Sequence, residues 1–301
     1  MSEPFPALLQ RSLDNNNICF ITGPTAAGKS ALALSAARRI GAEIISCDAM
    51  QVYREINICS DKPTAAMRAA VPHHLLDVAS VEEDFNAAKY RALAVTAIGD
   101  VLSRGRKAIV CGGSGMYMMA ILDGLFDNIE VPAGLRESLL ARIEREGLMT
   151  LYNELKVVDP QAAAKINPND PVRIVRALEV FQAVGKPISA LQQTREGLWG
   201  KETIALVGIE RPREELYIRA EQRIDAMFEH GLVEEVRGLL GLRLTPNAAR
   251  LIGIPEAKGF INGEYDLERA KYLMKLNTRH YIKRQMTWFR KDARIQWITQ
   301  I

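Results

Sequence analysis

A glycine-bounded segment that ends in lysine and serine is the stretch of this sequence best suited to chemistry. It consists of Gly23, Pro24, Thr25, Ala26, Ala27, Gly28, Lys29 and Ser30. An apolar run precedes it and an alanine- and leucine-rich run follows, so we expect strand, loop and helix, the setting of a phosphate-binding loop. The amides of such a loop and the helix dipole bind anions. Lys29 would add a charge for the terminal phosphates, and the Ser30 hydroxyl a ligand for Mg²⁺.

A second candidate is Asp48, which follows the short apolar run 42–47. Ligands of open α/β sheets bind outside the carboxyl ends of the strands, so Asp48 is expected on the same rim as the phosphate loop. Three roles are open to it: a Mg²⁺ ligand, a general base, or a cap for the turn that follows. The glycine turn 112–115 also follows an apolar run, and it predicts either close approach of a ligand or only a tight turn.

Several basic residues are spaced so that they share a helix face. Arg173 and Arg176 are three apart, and Arg219 and Arg223 are four apart. Such a pair either contacts phosphate or is salt-bridged. The segment 267–290 is rich in Lys and Arg and carries aromatic residues near its end, a pattern typical of a nucleic-acid-binding helix. The same charges could simply complement the carboxyl end of that helix.

The elements that position these residues predict an α/β fold with a parallel-sheet core. We expect strands at 17–22, 42–47, 107–111 and 203–209, and helices at 86–103, 212–240 and 267–290. Segments 56–63, 71–78 and 243–262 are expected to be irregular. After a linker-like bend at 127–134 the pattern is wholly helical, with helices at 135–146, 150–158 and 172–184. The predicted organisation is therefore a phosphate-loop core, 16–126 and 197–301, with a helical insertion domain, 127–196.

Composition narrows the function classes. The net charge of +3 is nearly neutral, so a polyanionic partner must be argued from local clusters. The four cysteines lack a C-x-x-C pair, which favours reduced cytosolic thiols over disulfides or zinc. Adjacent His73 and His74 would point to opposite faces of an extended segment and so could not share a metal ion. We find neither a signal-peptide pattern nor an apolar run of membrane-spanning length, and we expect a cytoplasmic protein.

The order of the motifs resembles that of the tRNA dimethylallyltransferase (IPP transferase) family. The resemblance rests on GPTAAGKSALA at 23–33, EIISCDAMQVYR at 43–54, PHHLLD at 72–77, GGSGMY at 112–117, NDPVRIVRALEV at 169–180 and KRQMTWFR at 283–290. It implies a phosphate-loop transferase with an inserted all-helical tRNA-binding domain. Such an enzyme moves a dimethylallyl group from dimethylallyl diphosphate to N6 of adenosine 37, in the anticodon stem-loop of tRNA, and releases diphosphate. Its cofactor would be Mg²⁺, and we expect a monomer.

The resemblance also implies roles for individual residues. Asp48 matches the general base, Thr25 belongs to the catalytic set, and Arg219 or Arg223 would contact the diphosphate. The positions that match tRNA contacts are Asp48, Ala49, Met50, Gln51, Ser114, Arg136, Val172, Arg173, Arg176, Arg250, Lys283, Arg284, Gln285, Thr287, Trp288 and Arg290.

Two segments depart from the family pattern. Cys59, Ser60 and Asp61 stand where the family usually has G-T-A, and Ile254-Pro255 stands where it commonly has Y-[RK]. We expect altered phosphate or RNA contacts at these places. Three other functions compete: an adenylate isopentenyltransferase that acts on free nucleotide, a small-molecule kinase, and an RNA-binding module without catalysis. No apolar strand ends in the Asp that organises Mg²⁺ in nucleoside triphosphatases, which counts against the kinase.

Overall fold

Six parallel strands form the centre of the larger of two units. The structure, a computed structural model, describes residues 6–126 and 129–299. The strands are β1 (Ile18–Thr22), β2 (Glu43–Ser46), β3 (His73–His74), β4 (Ala108–Cys111), β5 (Ile204–Ile209) and β6 (Gln296–Ile298). Their order across the sheet is β3-β2-β4-β1-β5-β6. Every residue of β1 and β2 is buried, as expected for strands covered on both faces. The predicted α/β fold with a parallel sheet is confirmed.

The first five helices belong to the same unit as this sheet. They are α1 (Ala7–Asn15), α2 (Lys29–Ile40), α3 (Ala65–Ala70), α4 (Ala87–Ser103) and α5 (Gly115–Leu122). Asn86 caps α4 through its side chain, which accepts from the amides of Ala88 and Lys89. Helix α1 precedes the range 16–126 assigned to the core from sequence, yet its Leu9 and Leu13 are buried among the residues of the sheet. The core therefore begins earlier than that range.

Five helices make up the second unit: α6 (Leu135–Glu146), α7 (Leu148–Val158), α8 (Pro160–Lys165), α9 (Pro171–Val184) and α10 (Ile188–Gln193). The chain divides by its contacts into this unit, Asp123–Leu198, and the α/β unit, which runs to Leu122 and resumes at Trp199. Helix α9 begins where Asp170 caps it and ends at Gly185 (φ 68°). Leucines of α6, α7 and α9 form a core of its own. Residues 127–128 of the predicted bend lie outside the described residues.

The α/β unit ends with α11 (Arg213–Glu229), α12 (Leu232–Leu239), a 3-10 turn (Ala248–Arg250), α13 (Ile254–Ile261) and α14 (Leu267–Phe289). The helix predicted at 267–290 is confirmed. The prediction of a single helix at 212–240 is wrong, because Gly231, at φ 100°, separates α11 from α12. The segment 243–262 is also more regular than predicted, because Gly253 caps α13 and its proline lies in the first turn.

Two short strands were not predicted. β3 lies within the segment 71–78, and its two residues pair with Ile44 and Ile45 of β2. β6 pairs with β5 after the last helix. Strands of two and three residues leave no hydrophobic alternation to detect, so only pairing with a neighbouring strand defines them. Within the described ranges, no helix has the length and apolar character needed to cross a bilayer.

Candidate active site

The phosphate loop joins β1 to α2 in a conformation that demands glycine. Gly23 has φ 137°, and a Cβ there would lie 2.7 Å from the carbonyl oxygen of Ile209. Gly28, immediately before α2, has φ 97°. Ala26 also adopts a positive φ of 65°, a cost that non-glycine residues bear mainly at functional sites. The segment that the sequence singled out thus carries strained backbone, as Asp61, Leu75 and Asp77 do elsewhere in the α/β unit.

Basic side chains hold the carbonyl oxygens of this loop. The donors are Lys29 Nζ to Pro24 O at 2.7 Å, Arg211 Nε to Ala27 O at 2.9 Å and Arg219 Nε to Ala26 O at 2.9 Å. In the described part of the chain, the amides of Gly28, Lys29 and Ser30 have no acceptor. Unpaired amides at a helix start, with cations beside them, are the kind of groups that bind anions, so this loop is a candidate anion site.

Lys29 is a partly buried cation of this loop. Burial lowers the pKa of its amine to about 8, and the charges of Cys111 and Asp48 partly oppose that shift. A bound anion would favour the charged form of the amine and raise this pKa again. Charge on Lys29 and anion binding are therefore coupled.

Arg223 reaches the loop from α11. Its Nη2 donates to Thr25 Oγ1 at 2.6 Å, and its Nη1 lies 3.2 Å from Asp61 Oδ2. In the part of the chain that the structure describes, its Nε is buried and has no hydrogen-bond partner. Arg219 and Arg223 therefore both contact the loop, one through the backbone and one through a side chain.

Gln285 of α14 joins the two glycine turns. Its Oε1 accepts from the Thr25 amide at 2.9 Å, and its Nε2 donates to Gly113 O at 2.9 Å. The side chain is buried, and a Cβ on Gly113 would collide with Nε2. The glycine at 113 thus makes room for a brace between segments far apart in sequence.

Asp48 caps a turn with one of its two carboxylate oxygens. Oδ1 accepts from the amides of Met50 at 2.8 Å and Gln51 at 3.4 Å. Among the residues described, Oδ2 has no donor, and the side chain is half-buried. Gln51 is held in turn by Ser46 Oγ and by the carbonyls of Ser60 and Asp61. The cap is present, and one carboxylate oxygen remains for chemistry.

One cavity of about 730 Å³ collects these groups. Its walls include Thr25, Lys29, Ser30, Asp48, Met50, Asp61, Gly113, Arg219, Arg223, Arg250, Tyr281, Arg284 and Gln285. All of them belong to the α/β unit. The expectation that Asp48 lies on the same rim as the phosphate loop is confirmed. A concave site of this size with converging polar groups suits a small phosphorylated ligand and part of a larger one.

Comparison with known proteins decides the family. The profile of the IPP transferase family matches residues 51–292. The chain belongs to the IPP transferase family. A tRNA dimethylallyltransferase of Geobacter metallireducens is 45% identical over 287 residues, 95% of this chain and 93% of that protein. This membership confirms the resemblance carried by the motifs.

Solved structures of IPP transferases agree with the fold. The tRNA isopentenylpyrophosphate transferase of Bacillus halodurans is 34% identical, with a TM-score of 0.68 over 94% of this chain and 90% of that one. A eukaryotic dimethylallyltransferase captured acting on tRNA is 28% identical, with a TM-score of 0.77 over 94% of this chain and 74% of that one.

Of the tRNA-contact residues that the family resemblance predicted in the α/β unit, some line the cavity and others lie outside it. Ala49, Met50, Gln51, Arg250, Arg284 and Gln285 line the cavity. Ser114 donates its amide to Cys47 O at 3.1 Å and is not among the lining residues described. Arg290 pairs with Glu210 at 2.6 Å, and Trp288 packs against Gly115. Lys283 and Thr287 are exposed on α14. Their contacts with tRNA stay predictions.

In the helical unit, the predicted arginines are ion-paired. Arg136 and Arg176 lie 3.5 Å and 3.4 Å from the buried carboxylate of Glu179. Arg173 lies 3.4 Å from Asp170, and Val172 beside it is exposed. The salt-bridged alternative left open by the sequence is therefore present, and RNA contact by these residues stays a prediction.

The sequence did not predict three residues that contribute contacts at or beside the site, Arg211, Lys62 and Asp61. Arg211 follows the carboxyl end of β5, so the strand-end rule that located Asp48 could have found it. Lys62 is almost fully buried and donates to Tyr53 O at 2.7 Å and Asp77 at 2.6 Å. Asp61 was visible in the sequence only as a departure from the family pattern, and its partner Arg223 is distant in the chain.

Proposed function

We propose that this chain is a tRNA dimethylallyltransferase, which transfers a dimethylallyl group from dimethylallyl diphosphate to N6 of adenosine 37 and releases diphosphate. The observation that carries the proposal is the meeting of an anion-binding loop, its arginines and the Asp48 carboxylate in one cavity. Family membership and relatives named for this activity support the substrates. In this proposal the protein works as a cytoplasmic monomer on the anticodon stem-loop.

The loop serves the leaving group. As the bond between the allylic carbon and the diphosphate oxygen breaks, negative charge grows on the diphosphate. The free amides at Gly28 to Ser30 and the cations Lys29, Arg219 and Arg223 stabilise that charge. Donors fixed in place before the reaction are effective because they need no reorganisation at the transition state.

Mg²⁺ is proposed as the cofactor, and the residues present fit it. In the described ranges, no cluster of three His, Cys, Asp or Glu side chains could hold a metal by itself. Mg²⁺ in phosphate sites is commonly held by one or two protein ligands, with water and phosphate oxygens completing the shell. The Ser30 hydroxyl lines the cavity beside the unpaired amides and would be such a ligand. Bound there, the ion would supply further charge neutralisation.

Asp48 would take the proton that N6 loses as the new carbon–nitrogen bond forms. Its Oδ1 is committed to the turn amides, which fixes the carboxylate, and Oδ2 is the basic atom of this proposal. The target base must leave its stack to reach a recessed carboxylate, so adenosine 37 is expected to flip out. Exposed Lys283 and Arg284 of α14 would contact the RNA backbone.

Transfer of a labelled dimethylallyl group to tRNA and, separately, to AMP tests the proposal. We expect label in tRNA only, and mass analysis of digested tRNA should locate it at nucleoside 37. Turnover on AMP alone would identify an adenylate isopentenyltransferase. Phosphoryl transfer from ATP would instead identify a kinase.

A matched pair of variants tests Asp48 itself. Asp48→Asn keeps an oxygen that can accept from the Met50 amide but removes the base, so we expect a rate loss on the order of a hundredfold or more with unchanged tRNA affinity. Asp48→Ala removes the cap as well and should also cost about 1 kcal/mol of stability. A fully active Asp48→Asn enzyme would show that Asp48 is not the base and serves only to cap the turn.

A further inference from the structure

We propose that Asp61 is an internal competitor of diphosphate for Arg223, which it holds in the empty site and releases when the donor binds. This inference rests on the proposed function, because it assigns a step in the use of the same anion site. It makes Asp61 a positioning residue that sets how tightly the site holds diphosphate before and after transfer.

The first observation is that Arg223 is shared. One guanidinium nitrogen donates to Thr25 Oγ1 at 2.6 Å and the other lies 3.2 Å from Asp61 Oδ2. The third nitrogen, Nε, is buried and has no hydrogen-bond partner among residues 6–126 and 129–299. A buried donor left unpaired is costly, so this arrangement is not the best available to Arg223. An anion on the phosphate loop, next to Thr25, offers the guanidinium more acceptors than Asp61 does.

The second observation is that the backbone of Asp61 is fixed although its carboxylate is not. Asp61 has a φ of 50°, its amide donates to Ile58 O at 3.0 Å, and its carbonyl accepts from Gln51 Nε2 at 3.3 Å. The next residue, Lys62, is anchored by Asp77. The fixed backbone therefore keeps Asp61 in the cavity wall beside Arg223.

The third observation is the difference in exposure between the partners. The Asp61 side chain is 59% exposed and that of Arg223 is 30% exposed. The carboxylate can rotate into water at little cost, whereas Arg223 stays against the loop. Because Asp61 and diphosphate are both negative, the ion pair must open as diphosphate binds, and it re-forms as diphosphate leaves. Asp61 thus weakens the binding of diphosphate and favours its release.

The experiment measures the binding of inorganic diphosphate with Mg²⁺ by calorimetry, using the full chain. We compare the unchanged protein with Asp61→Asn, Arg223→Gln and the double variant. Asp61→Asn should lower the Kd about two- to fivefold at low salt, as expected for a partly exposed ion pair, and the gain should shrink as salt is raised. In the Arg223→Gln background the same change should have no effect.

Asp225→Asn is the matched control. Asp225 lies two residues after Arg223 on α11 and pairs with Lys275 at 2.7 Å, so the variant removes one charge and one ion pair without touching Arg223. Its diphosphate Kd should equal that of the unchanged protein. An equal gain of diphosphate affinity in Asp225→Asn would show that the effect of Asp61→Asn comes from net charge alone, and it would overturn the proposal.

Steady-state kinetics supply a readout that a purely structural role would not move. Asp61→Asn should lower KM for dimethylallyl diphosphate and strengthen product inhibition by diphosphate by the same factor, with kcat unchanged or lower. An unchanged or weaker affinity in Asp61→Asn, with normal thermal unfolding, would overturn the proposal; weaker affinity together with a higher Mg²⁺ requirement would make Asp61 a metal ligand. Absence of diphosphate binding in the unchanged protein would instead overturn the proposed function, and this inference with it.

Discussion

The arginines of the two units contact different partners, although the spacing of Arg173 with Arg176 and of Arg219 with Arg223 led to the same interpretation for both pairs, a shared helix face. In the helical unit, Arg136 and Arg176 surround Glu179, whose carboxylate is 2% exposed. In the α/β unit, Arg211 and Arg219 donate to carbonyl oxygens of the phosphate loop, and the carboxylate that both approach, that of Glu215, is 40% exposed. A buried carboxylate needs cations to compensate its lost hydration, whereas neutral carbonyls and a solvent-exposed carboxylate place no such demand on the arginines beside them. The buried partner therefore decides what an arginine does.

The largest effect should come from Arg223→Gln. Losing the donor at Thr25 should lower kcat/KM for dimethylallyl diphosphate about a hundredfold or more, because the guanidinium stabilises charge that develops on the leaving group. Single-turnover transfer to tRNA measures this. Arg176→Gln is the matched change in the helical unit and should leave diphosphate binding unaltered. Equal losses in the two variants would break the comparison.

Glu179→Gln should produce the next largest effect, on stability and not on diphosphate binding. Removing the charge that Arg136 and Arg176 share should lower the free energy of unfolding by roughly 2 kcal/mol. The acid is buried, but both arginines are partly exposed and can be hydrated when it is neutral. Urea denaturation measures it. Glu215→Gln, whose side chain is 40% exposed and pairs with Arg211, should cost less than about 1 kcal/mol. A larger loss of stability in Glu215→Gln than in Glu179→Gln would contradict the conclusion that the buried acid belongs to the helical unit's arginines.

The pH dependence of anion binding should sharpen the role of Lys29. With its pKa lowered to about 8, the amine is charged below that pH and loses its proton above it. The affinity for diphosphate should therefore be level below pH 8 and fall by up to about tenfold per pH unit above it. Calorimetric titrations from pH 6.5 to about 9.5 would show this. Lys29→Arg stays charged throughout, so a curve of the same shape in that variant would assign the change to diphosphate itself.

The smallest effect should come from Arg136→Ala. Its side chain is 49% exposed and Arg176 still neutralises Glu179, so we expect a loss of about 0.5 kcal/mol of stability. A double-mutant cycle with Arg176→Ala measures how far the two arginines substitute for each other. If Arg136→Ala alone cost as much as Glu179→Gln, the two cations would not be sharing the acid.

Local pattern was enough to locate much of the fold and half of the site. The phosphate loop and Asp48 follow buried strands, and because parallel strands end at one rim, the sequence predicted that they would meet. Helices α9 and α14 were predicted at 172–184 and 267–290, close to the bounds that the structure gives them. The division of 212–240 into two helices was missed because Gly231 is one residue in a long apolar pattern. α13 was missed because its glycine and proline, which suggested irregular chain, are its cap and first turn.

By itself the sequence determined the family and the α/β class, from motifs and apolar runs in order along the chain. It also located the candidate anion-binding loop and the candidate base, since each of these depends on residues close together. Only the tertiary structure decided which partners complete the site. Gln285 braces Thr25 from 260 residues away, and Asp61 meets Arg223 across 162 residues. Such contacts depend on how helices pack on the sheet, and no local spacing encodes them. That packing, and not residue type, placed Arg223 beside the loop and Arg176 beside a buried acid.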